Sequence, residues 1–138
     1  MINQYQVIAL TAGLLTLFYV FLTGFVIARR KAARIPFKDG GDIVLLSRIR
    51  AHANFAEYVP LFLVLMLMAA SQGLSMTATI VLCVGFSLGR FLHAFGVIRE
   101  HLSQYRHRGG RTVGMLLTLL SLIFLAMYLL FFSSLGLA

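Results

Sequence analysis

Apolar residues in this chain fall into four long stretches, and the polar breaks between them differ in kind. The first stretch runs roughly Val7–Ala28 and the second from near Ile43 to near Ala70. The third covers roughly Met76–Val97, and the fourth extends from Thr112 to about Phe132. A helix rises about 1.5 Å per residue, so each can cross a hydrocarbon layer about 30 Å thick. The pattern predicts an all-α integral membrane protein, a four-helix bundle occupying residues 1–138 as one domain. The break "RRKAARIPFKDGGD" reads as a basic loop with a proline and a glycine pair. "SQGLS" reads as a tight uncharged turn, and "REHLSQYRHRGG" as a second basic loop ending in a Gly-Gly breaker.

Composition agrees with a bilayer as solvent. Of 138 residues, 60% are hydrophobic and only 12% charged, about half the charged share of a soluble domain. The formal net charge of +8 would suit nucleic acid, but the cations flank apolar stretches and so fit a membrane surface instead. At the N-terminus the positive charges follow the apolar run, the reverse of a signal peptide, so a retained first helix is expected. Cys83, the single cysteine, excludes an intramolecular disulfide and reads as a small packing residue. No zinc-like Cys/His spacing is present.

Charge also sets orientation. Arg29, Arg30, Lys31, Arg34 and Lys38 lie in the first break, and Arg99, Arg106 and Arg108 in the third, whereas the second break and both ends lack Lys and Arg. The positive-inside rule places loops one and three in the cytoplasm and both termini outside.

The second and third stretches carry polar residues at one depth, near their cytoplasmic ends. On a helix each residue advances about 100°. Arg50, Asn54, Glu57 and Tyr58 then share a sector, while Arg48 and His52 point the opposite way. An intramembrane stripe of this kind faces protein or a water-filled cavity. Pro60 follows, and its missing N–H frees a carbonyl near Ala56, which predicts a kink beside the stripe. Two readings stand side by side: Glu57 pairs with an arginine such as Arg90 to hold helices together, or the stripe lines a pocket. Arg50 and Asn54 on the same face favour the pocket, since one pair would suffice as glue.

Arg90 and His93 share a face of the third stretch. Arg90 either neutralises Glu57 or offers its guanidinium to a ligand carboxylate, or both side chains snorkel. A lone histidine is weak evidence for acid–base or metal chemistry. Arg111 follows Gly109-Gly110 at the head of the fourth helix, where a cation opposes the helix dipole. That suits an anion site, or else a topology anchor such as Arg106 and Arg108, with Tyr105 as a belt aromatic. There is no phosphate-binding glycine loop, HExxH, nucleophile elbow or intramembrane carboxylate pair, so a ligand must bring the reactive group.

The run Arg50-x-x-x-Asn54-x-x-Glu57-Tyr58-x-Pro60, at the start of a second membrane helix, resembles the signature of the MAPEG family, the membrane-associated proteins in eicosanoid and glutathione metabolism. Four spans, a short outer turn and basic cytoplasmic loops extend the likeness over essentially the whole chain, and it looks most like the bacterial branch, in the inner membrane. The resemblance implies a homotrimer of four-helix bundles with glutathione between neighbouring protomers. It implies that Arg50, Asn54, Glu57 and Tyr58 bind glutathione, joined by Arg90 in "GRFLHAFG" and by His93. His93 and Val97 stand where better-known members carry tyrosines. Arg111 is the nearest match to the arginine that stabilises the glutathione thiolate, with Arg108 in reserve.

Glutathione has two carboxylates and one ammonium, suited to Arg and Glu partners. A guanidinium beside its thiol lowers a pKa otherwise about 8.5. The expected function is a glutathione-dependent membrane transferase or peroxidase acting on a lipophilic electrophile or hydroperoxide. A second possibility is a non-enzymatic trimer whose polar belt serves assembly or lipid-headgroup binding. A third, a proton-coupled exporter titrating Glu57, is opposed by the arginines that would hold Glu57 ionised.

Overall fold

A computed structural model describes residues 3–99 and 108–134, with only the backbone of Arg108 and Ser133. Four helices follow one another: α1 (Gln4–Ala33), α2 (Ile43–Ser71), α3 (Met76–Arg99) and α4 (Arg108–Ser134). Each is long and apolar enough to cross a membrane, so the expected four-helix membrane bundle is the fold observed.

The helices run into the edges of two breaks predicted from sequence. The α1 helix continues through Arg29, Arg30 and Lys31, which the sequence pattern had assigned to the first loop. Its own C-terminus explains this: the last-turn carbonyls lack intrahelical partners and favour nearby cations. The helix stops at Arg34, whose left-handed backbone (φ 55°) caps it by donating to the Arg30 and Lys31 carbonyls. Gly109 and Gly110 fall in the first turn of α4 and do not break the chain ahead of it. Pro60 lies inside α2, which runs unbroken past the polar stripe.

The start of α1 is a capping box, with Asn3 accepting from the Gln6 N–H and Gln6 accepting from that of Asn3. Asp42 caps α2 by accepting from the Leu45 N–H at 2.8 Å. At the other end of α2, Gly73 takes φ 83°, a left-handed turn open to glycine, and reverses the chain into α3. This end is laced shut: Gln4 donates to the Ala70 carbonyl and accepts from Thr79, while the Tyr128 hydroxyl donates to the Gln72 carbonyl.

Buried aromatic and aliphatic residues fill the interior, among them Phe62 and Phe86 stacked at 3.8 Å between α2 and α3. Cys83 is buried there as a packing residue. The closest helix pair is α3 and α4. A Cβ on Gly114 would lie 2.5 Å from both the Gly89 carbonyl oxygen and the His93 nitrogen, and one on Gly96 would lie 2.6 Å from the Arg111 nitrogen. Only glycine permits backbones this near, and the approach presses the first turn of α4 against His93.

Candidate functional site

The two polar faces of α2 meet different surroundings. On one side, Arg48 donates to the Phe25 carbonyl at 2.8 Å and lies over the Phe25 ring. His52 stacks on Tyr19 at 4.6 Å and lies 3.1 Å from the Thr23 hydroxyl. That hydroxyl spends its one proton on the Tyr19 carbonyl, so His52 Nε2 is the donor. Both residues thus hold α1 to α2, on the side opposite Arg50 as the helical spacing predicts.

The other face lines a groove of about 1290 Å3 between α2 and the α3–α4 pair. That exceeds the roughly 300–1,000 Å3 of ordinary small-molecule pockets. Its polar wall brings Arg50, Asn54 and Glu57 of α2 together with His93 of α3 and Arg111 and Thr112 of α4. Its apolar wall is Val97, Met115, Leu116 and Leu119. Arg50, Glu57 and Arg111 are exposed, and Asn54 is half-buried.

Tyr58 and Arg90 are not among the lining residues. Taking Arg50 as zero, Tyr58 lies about 80° round the helix, far enough to turn from the groove toward α3. There its ring lies 5.2 Å from the Arg90 guanidinium, with Phe55 on the other flank at 5.8 Å. Arg90 is fully buried. It donates from Nη2 to Asn54 Oδ1 at 2.8 Å and from Nη1 to Thr118 Oγ1 at 3.2 Å, while its Nε has no partner. No ion pair joins Arg90 to Glu57, so the helix-gluing pair weighed from sequence does not form. Thr118 donates its own proton to the Gly114 carbonyl, leaving a lone pair for Arg90. Sequence reasoning passed over Thr118 because an isolated threonine in an apolar helix carries no signal of what lies opposite it.

This arrangement fixes the polarity of Asn54. A guanidinium has no acceptor, so the atom facing it must be the amide oxygen. The Asn54 N–H groups are then what this residue can offer a ligand. His93 Nδ1 lies 2.9 Å from the Arg111 carbonyl oxygen. A carbonyl only accepts, so Nδ1 carries the hydrogen, and the bond ties the α4 turn bearing Arg111 to α3. Arg111 falls in the first helical turn, three residues in from the α4 start. Tyr105, Arg106 and the Arg108 side chain lie outside the described residues. No cluster of three or more metal-ligating side chains occurs among the described residues.

The MAPEG family model matches residues 8–131, so the match runs through all four helices and every groove residue named above. The chain belongs to the MAPEG family. It is therefore a membrane protein of a family named for glutathione and eicosanoid metabolism. Among curated relatives, this MAPEG chain is similar to the inner membrane protein YecN of Escherichia coli strain K12. The two are 32% identical over 104 residues, covering 75% of this chain and 79% of the relative. The protein of the same name from Escherichia coli O6:H1 matches with the same figures. No solved structure matches this chain.

Proposed function

We propose that this MAPEG protein binds glutathione in the groove between α2 and α4 and directs its thiolate at lipophilic electrophiles or hydroperoxides. The observation that carries this reading is the composition of the groove: two arginines, a donor-oriented asparagine and one carboxylate line it together with the apolar Val97, Met115, Leu116 and Leu119. Arg50 and Arg111 suit carboxylates and a thiolate, Glu57 suits an ammonium, and the Asn54 N–H groups suit a carbonyl or carboxylate oxygen. When bound, glutathione supplies a thiol that adds to an electrophilic carbon to form a thioether, or reduces a hydroperoxide to alcohol and water as two glutathiones become a disulfide. Arg111 is assigned the role of favouring thiolate over thiol. Arg90 and Tyr58 support the polar wall from behind it, and His93 holds the turn that carries Arg111.

The same proposal includes a homotrimer, in which a neighbouring protomer closes the open side of the groove. The long exposed apolar faces of α1 and α4 meet lipid or that neighbour. It places the basic ends of the helices in the cytoplasm by the positive-inside rule, and the protein in the bacterial inner membrane like the relatives it resembles.

Titration calorimetry of detergent-purified protein with glutathione, paired with an ultraviolet scan for bound thiolate, tests the reading. Binding should be abolished by Arg50→Ala and by Glu57→Ala. Unchanged binding in both variants would remove the site from this groove. Absent binding by the unmodified protein, with trimers lost in the two variants, would assign the polar belt to assembly instead.

A further inference from the structure

We propose that the loop joining α1 to α2 is a preformed anchor that seats Phe37 among anionic lipid headgroups. Phe37 is 83% exposed, more than any other large hydrophobic side chain among the described residues. An aromatic ring held that far from its own protein needs another apolar environment to leave water.

The loop is built to hold it there. Arg30 Nη1 donates to the carbonyls of Ile35, Pro36 and Lys38 at 3.3, 3.2 and 2.9 Å. The Ile35 N–H returns to the Arg30 carbonyl. Both ends are pinned by Arg29, which grips the Asp42 carboxylate with Nε and Nη2, the shortest contact being 2.6 Å. Arg34 and Lys38 accept left-handed backbones (φ 55° and 51°) to make the turn, a conformation unfavourable for such side chains unless the surroundings enforce it.

Position and charge select a lipid surface as the occupant. The 30 residues of α1 extend about 45 Å, against about 30 Å of hydrocarbon, so its last turns stand in the headgroup layer. The contacts with Arg30 fold the loop back beside those turns, which sets Phe37 at the same level. Lys31, Arg34 and Lys38 are exposed around it. Arg29 and Arg30 are already engaged within the protein, and of the two loop acids Asp42 is paired. The surface left over is a ring with three outward cations against the one remaining acid, Asp39, a net positive face complementary to anionic headgroups.

The chain contains no tryptophan, so Phe37→Trp introduces a single reporter at a position exposed enough to accept it. The variant is reconstituted into phosphatidylcholine vesicles with or without phosphatidylglycerol, including lipids brominated near the headgroup. Blue-shifted emission quenched by the brominated lipid, more strongly when that lipid is anionic, is the expected result. Adding Lys31→Gln or Lys38→Asn should lower the preference for anionic over zwitterionic lipid around the ring by up to about fivefold per cation removed. Water-like, unquenched emission would overturn the proposal. So would blue-shifted emission that lipid does not quench, which would place the ring against a second copy of the chain. Equal quenching by zwitterionic and anionic lipid would overturn the charge assignment.

Discussion

Arg90 of α3 donates to the side-chain oxygen of Asn54 on α2 at 2.8 Å, one residue wholly buried and the other on the wall of the groove. The bond does two things at once. It gives a buried guanidinium an acceptor, and it turns the Asn54 N–H groups toward the groove.

Those two roles separate on substitution. Asn54→Asp keeps an oxygen for Arg90 but offers the groove no donor. Its unfolding temperature in detergent should hold or rise, while glutathione affinity falls about tenfold to a hundredfold. Asn54→Ala should lose affinity and, in addition, about 1–3 kcal/mol of stability as Arg90 loses its partner. Wild-type affinity in Asn54→Asp, measured by calorimetry, would mean that Asn54 serves Arg90 alone.

Arg48 supplies the matching control from the opposite face of the same helix. Its contacts are with Phe25 of α1, and its Nε is buried without a partner. Arg48→Met should leave glutathione titrations unchanged, because an apolar side chain of similar length replaces a charge that is only partly compensated. A loss of affinity would show that this face also takes part in ligand binding.

The α3–α4 approach predicts a contrast between two glycines. Gly114→Ala adds a Cβ 2.5 Å from two backbone atoms of α3. It should cost about 1–3 kcal/mol by overpacking and displace the turn that carries Arg111. Gly13→Ala, where nothing lies within 4 Å of the added atom, should instead gain roughly 0.5–1 kcal/mol from helix propensity. Thermal unfolding of both variants in one detergent gives the comparison directly.

Asp42 gives the first loop a pH dependence. Its hydrogen bond from Arg29, followed by that from the Leu45 N–H, holds its carboxyl below the ordinary 3.8. A depressed carboxyl contributes stability that is fully present above the unfolded value and is lost as pH falls through the folded one. Unfolding temperature should therefore be insensitive to this group at neutral pH and drop below about pH 4. Asp42→Asn should flatten that acid limb. An unchanged acid limb in the variant would assign it to other carboxyls.

Helix ends show where sequence reading ran short. Arg29, Arg30 and Lys31 looked like loop because charge marks a break in hydropathy, yet a helix C-terminus welcomes cations and α1 continues through them. Gly109 and Gly110 looked like a breaker because glycine is a poor helix former. The α4 helix nevertheless begins ahead of both and carries them in its first turn. The division of α2 into two polar faces was legible, since Arg50, Asn54 and Glu57 share a sector and Arg48 and His52 do not. Tyr58 sits at the edge of that sector, and only the position of α3 decides which way it turns.

The sequence by itself determined four membrane helices and the one-sided stripe on α2, because hydropathy and a 100° helical step act locally, and its run at residues 50–60 carried the family resemblance. Tertiary structure alone decided that Arg90 bonds to Asn54 and Thr118 and forms no pair with Glu57, that His93 ties down the turn of Arg111, and that Phe37 is turned outward. Each of these depends on what a neighbouring helix or a folded loop places within hydrogen-bond reach, across separations such as the 28 residues between Arg90 and Thr118. Periodicity along one helix contains no record of that distance.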